Sequence, residues 1–103
     1  MSNYISWCYP EALIPPHNQV NPEKYQTFIE KFTHNGWGQG YPALIGYWWE
    51  GYNVQLLYGT HRYYAAKSLN LLIPTVIHEF EYIQALWGTE EWIKMVNSPK
   101  MVE

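Results

Sequence analysis

The chain has 103 residues, enough for one small core and no second one. Hydrophobic residues make up 48% and charged residues 15%, a folding composition rather than a disordered one. Lys and Arg total 6 against 9 acidic residues, all of them Glu, so the cationic face that grips duplex DNA is not supplied. One phosphate or mononucleotide needs only one or two cations, and that class stays open. The lone cysteine, Cys8, forms no intramolecular disulfide and no cysteine-rich zinc site. The four histidines lack a ligand spacing, so neither zinc nor haem is expected. The N-terminus has no basic stretch followed by an apolar one, and no apolar run reaches membrane-spanning length. The expected address is the cytoplasm.

In chain order, Ile14 to Asn21 is turn-rich, and Pro15-Pro16 keeps it extended. A helix follows. Asn21 is its predicted N-cap, and Pro22 takes the first position, where a missing N–H costs nothing. Tyr25, Phe28, Ile29 and Phe32 recur on one face, and Asn35-Gly36 ends the helix. Residues 36–42, GWGQGYP, hold three glycines, which can gather backbone N–H groups around an anion. The segment lacks the Lys-Ser/Thr ending of a Walker-type loop, and a helix stop with an extended connection is the favoured reading of it. Ala43 to Trp49 and Tyr52 to Tyr58 read as a strand hairpin turning at Glu50-Gly51. Alternation allows only one of Trp48 and Trp49 to face inward. Thr60 to Asn70 reads as a helix burying Ala65, Ala66 and Leu69, and Thr75 to Phe80 as a strand. Ile83 to Val96 is helical on either side of Gly88, restarting at Thr89. The tail from Ser98 should fray. The fold class is α+β, a small mixed β-sheet with helices packed on one side of it.

The junction Gly59-Thr60-His61-Arg62 stands between a strand and a helix. The glycine lets backbone approach a ligand, and the helix start presents free N–H groups to an anion. Arg62 adds a guanidinium fork suited to phosphate, and His61 a further donor. Thr60 can cap the helix. On spacing alone, a bland alternative carries equal weight: Thr60 merely caps and Arg62 pairs with a Glu. No general base stands out, and Glu11, Glu50 and Glu79 qualify only as carboxylates.

Residues 56–77, LLYGTHRYYAAKSLNLLIPTVI, resemble the signature region of the ParB/sulfiredoxin superfamily: Gly59, Arg62, Ala65-Ala66 and Ile73-Pro74 fall on its Gly-x-x-Arg, Ala-Ala and Ile-Pro positions. The likeness spans residues 12–80 within one domain, 1–103, with a C-terminal helical segment at 81–97. It implies a phosphate site at Gly59, Thr60, His61 and Arg62, with His61 and Arg62 as the catalytic candidates. It also implies that the Pro-rich loop with His17, Asn18 and Gln19, and the Gly-rich segment with Gly38 and Gln39, lie on the ligand side. It implies ATP or CTP, with magnesium, as the ligand. Thr60 stands where sulfiredoxins carry their nucleophilic cysteine, so sulfinic-acid reduction is not implied. Tyr58 stands where many small members carry Asp, which places catalysis in question. The length of the chain suits a phage or mobile-element accessory protein. Three functions therefore compete. The first is a nucleotide- or phosphate-binding domain, with or without hydrolysis or phosphoryl transfer. The second is a non-catalytic module docking a protein partner, or a second copy of the chain, through its aromatic surface. The third, DNA binding or a nuclease, is opposed by the charge balance and the absence of Asp.

Overall fold

The computed structural model describes residues 4–38, 41–98 and 101–102. Strand β1 (Ile5–Cys8) and a single 3-10 turn (Pro10–Ala12) lead into the two-residue strand β2 (Leu13–Ile14). Helix α1 (Pro22–Asn35) starts where its cap predicts: Asn21 Oδ1 accepts from the Glu23 and Lys24 N–H groups at 3.0 and 3.2 Å. Strands β3 (Leu44–Trp48) and β4 (Val54–Leu56) form the expected hairpin, closed by Asn53 N–H to the Glu50 carbonyl at 3.0 Å. Helix α2 (Thr60–Ser68), strand β5 (Ile73–His78) and helices α3 (Phe80–Leu86) and α4 (Glu90–Asn97) complete the order. Thr89 caps α4, accepting from Trp92 N–H at 3.2 Å.

The sheet runs β1-β5-β3-β4-β2. Its pairings alternate: β1 with β5 antiparallel, β5 with β3 parallel, β3 with β4 antiparallel, β4 with β2 parallel. Leu44, Leu56 and Ile73 build the main core with Phe32 of α1 and Ala65 and Ala66 of α2. The neighbour of Leu44, Ile45, points to the opposite face and is buried as well. There Ile83 of α3 is buried, and Phe80 sits 5.4 Å from the Tyr47 ring. Continuous burial through Ile73–Val76 has the same cause. The sheet is thus covered on both faces at its centre, not on one side as the sequence suggested.

Three further expectations are corrected. Strand β5 ends at His78, and Phe80 opens a helix instead of closing the strand. The tail docks: Met101 bridges to Pro42, Val102 N–H donates to the Tyr41 carbonyl at 3.2 Å, and the Val102 side chain enters the core. Neither Trp48 nor Trp49 is buried. The strand ends at Trp48, so alternation no longer governs Trp49, whose ring leans on Tyr47 and Phe80 at 6.1 and 5.9 Å. Among the described residues no helix is long and apolar enough to cross a membrane.

His78 stacks on Tyr82 with ring centroids 4.8 Å apart, and burial pushes its imidazole below the ordinary histidine value. The unfolded chain therefore takes up this proton first. The contribution is whole above the unfolded value, about 6.5, and is lost as pH falls from there toward the lower folded value. Melting temperatures recorded from pH 7.5 to pH 5 should fall, and His78→Gln should flatten that slope. Parallel slopes in the two proteins would show that His78 does not carry it.

Candidate functional site

The β4–α2 junction is shaped by Gly59. Its backbone sits at φ 93° and ψ 29°, and a Cβ there would lie 2.5 Å from Leu44 Cδ2. Both the left-handed backbone and the close approach require glycine. Gly59 occupies the cap position itself, and no side chain caps α2. Thr60 is the first helical residue, not the cap that the sequence suggested. The first hydrogen bond of the helix runs from Tyr63 N–H to the Gly59 carbonyl at 2.8 Å. The N–H groups of Thr60, His61 and Arg62 precede that ladder and form the positive end of the helix.

Arg62 lies half-buried beside them. Its guanidinium sits 5.8 Å from the Trp37 ring centroid and 5.7 Å from that of Tyr58. Nη1 donates to the Pro42 carbonyl at 3.4 Å, a long bond, which leaves most of its five N–H donors open. Among the described residues no carboxylate pairs with it, so the Glu partner weighed from sequence is not what holds it. Burial draws the guanidinium below its ordinary pKa, and the Tyr58 hydroxyl opposes that shift. Burial likewise raises the Tyr58 phenol, which Arg62 partly offsets, and the phenol donates to the Ala43 carbonyl at 3.2 Å. The Gly-rich segment contributes here through its other residues. Trp37 is buried, stacked on Phe32 at 5.0 Å, and Pro42 supplies the carbonyl.

A cleft of about 790 Å³ opens over this turn. Gly59, Thr60, His61 and Arg62 line it together with His17, Gln19, Lys24 and Phe28. Asn18 is exposed and outside the lining, Gly38 is half-buried and also outside it, and Gln39 lies outside the described residues. None of Glu11, Glu50 and Glu79 lines the cleft. His61 Nε2 accepts the Asn21 N–H at 2.9 Å, so the ring carries its proton on Nδ1. That bond ties the cap of α1 to the first turn of α2, and a 2.6 Å Tyr25–Ser68 hydroxyl contact fixes the pair further along. The catalytic part given to His61 by sequence is thereby reduced, because its Nε2 lone pair is committed to the fold. Lys24 and Phe28 were not singled out from sequence. A lysine in the first turn of a helix works against the helix dipole, and that was the available signal for Lys24.

Magnesium takes carboxylate oxygens together with phosphate and water. Among the described residues no lining side chain is a carboxylate, and no three His, Cys, Asp or Glu side chains gather to hold a metal. The residues present do not fit the magnesium expected from sequence. Cys8 does not line the cleft, and burial raises its thiol, with an opposing hydrogen-bond contribution from Thr75.

No protein-family model and no curated protein matches the chain. Solved structures do. Sulfiredoxin from Arabidopsis thaliana matches 79% of this chain and 93% of its own, with a TM-score of 0.61 at 18% identity. The fold is ParB/sulfiredoxin-like. A conserved hypothetical protein from Pyrococcus furiosus covers 78% of the chain with a TM-score of 0.62 at 20% identity. A free serine kinase in complex with AMP covers 73% with a TM-score of 0.60 at 21% identity. The chain spans 34% and 31% of those two proteins. At these identities the ParB/sulfiredoxin-like likeness is one of fold.

Proposed function

We propose that the cleft binds the phosphate end of a nucleotide, with Gly59 to Arg62 as the cradle. One observation carries this reading. A half-buried guanidinium with no carboxylate partner among the described residues sits at a helix start that no side chain caps. Both features leave donors and positive charge directed at a single anion. Lys24 adds a second cation to the lining. The ring of Phe28 and the amide of Gln19 suit a base or ribose lying across the cleft. The volume, about 790 Å³, is of the size that small ligands occupy. A structural neighbour bound to AMP supports a nucleotide as the ligand class. The residues favour binding over phosphoryl transfer: among the described residues no lining carboxylate can serve as base, and His61 Nε2 is engaged.

A thermal-shift panel of ATP, ADP, CTP, GTP and pyrophosphate tests this. A ligand that binds only the native state stabilises it by about 2.7 kcal/mol at one hundred times its Kd. For a domain of this size that is an upward shift on the order of 10 °C. At least one nucleotide, and pyrophosphate more weakly, should produce it. A folded protein unmoved by the whole panel would end the proposal.

A further inference from the structure

We infer that the cleft takes its phosphate ligand as the bare anion, and that magnesium weakens binding instead of supporting it. The inference rests on the nucleotide reading above and concerns which ionic form of the ligand enters. A magnesium–nucleotide complex brings two positive charges with the phosphates. Sites that accept it answer with one or two carboxylates. Here the walls answer with cations. Arg62 lies between two aromatic rings and half-buried, where solvent screens it less than at an open surface. Lys24 lines the same cleft. The side-chain oxygens that remain are weak ligands for a hard dication: the Gln19 amide, the Thr60 hydroxyl, and a Tyr58 phenol whose proton goes to the Ala43 carbonyl. The backbone adds more positive potential, since the first turn of α2 lines the same cleft. All nine Glu residues belong to the chain, yet none of the described ones reaches this wall. Free ADP, with about three negative charges, suits this surface. Its magnesium complex retains about one, and its cation meets two like charges.

Calorimetric titration of ADP and of pyrophosphate into the wild-type protein decides the matter. One series contains chelator, the other excess magnesium chloride, with ionic strength matched by potassium chloride. Both ligands should bind about tenfold more tightly in chelator. Gln19→Glu places a carboxylate on the exposed part of the wall without changing side-chain size. It should weaken free ADP and narrow the gap between the two series. Equal or tighter binding in magnesium overturns the inference while leaving the nucleotide site standing. A gap unchanged in Gln19→Glu overturns the electrostatic cause. Absence of binding in both series overturns the nucleotide reading and this inference with it.

Discussion

Arg62→Ala should raise the Kd for ADP and pyrophosphate by about 100-fold while the protein stays folded. The two effects separate because Arg62 does little for the fold. Its one hydrogen bond, to the Pro42 carbonyl, is 3.4 Å long. Its contacts with Trp37 and Tyr58 are of the cation–aromatic kind, about 0.5–1 kcal/mol each, and removing the guanidinium also removes the cost of half-burying it. The net stability change should stay within about 1 kcal/mol, a fall of roughly 4–8 °C at most. Binding has no such compensation. A paired guanidinium–phosphate contact uses two charge-assisted bonds, and bonds to charged groups contribute about 1.5–3 kcal/mol each. Arg62→Lys keeps the charge and loses the fork, so its affinity should fall between the other two. Titration calorimetry beside a thermal melt reads both quantities. Affinity within about threefold of wild type in Arg62→Ala, with the melt intact, would remove Arg62 from the site.

The parts of this fold that were legible in sequence are those with a local cause. Asn21-Pro22 states a helix start, Glu50-Gly51 a hairpin, Thr89 a second start, and Gly59 a turn that only glycine makes. Each signal lies within a few residues of what it sets. What was not legible depends on partners far along the chain. Strand β2 has two residues and exists only because β4 lies beside it. The tail is held by Tyr41 and Pro42, some sixty residues earlier in the chain. The engagement of His61 is of the same kind, since its acceptor nitrogen is claimed by an N–H 40 residues away. Arg62 admits two equal readings from sequence, because spacing does not say whether a carboxylate approaches. The fold surrounds it instead with Trp37, Tyr58 and a backbone carbonyl. Covering the sheet on both faces was missed because α3 is seven residues long with one buried side chain, too short for a periodic signal.

Gly59→Ala should be the most damaging single-methyl change in the site, costing about 3 kcal/mol. Two contributions add. An L-residue at φ 93° is strained by about 1–2 kcal/mol. The new Cβ would also meet Leu44 at 2.5 Å from Cδ2 and 3.0 Å from Cδ1. Leu44 is fully buried among core residues, so its side chain has little room to withdraw, and overpacking of this kind costs about 1–3 kcal/mol. Against a total of about 5–15 kcal/mol, the melting temperature should fall by roughly 12–24 °C. The two contributions can be separated. Leu44→Ala alone opens a cavity and costs about 2–5 kcal/mol. In the double variant the new methyl group enters space that the leucine has left. If the clash matters, the double variant should be more stable than the two single losses predict, by about 1–3 kcal/mol. If backbone strain is the whole cost, the two losses should add within about 0.5 kcal/mol. The same double variant bears on the site. The direction of the Thr60 to Arg62 N–H groups is set by the left-handed turn, not by the leucine. Its affinity for pyrophosphate should therefore stay near that of Leu44→Ala if the turn is kept, and fall with any relaxation of φ toward negative values.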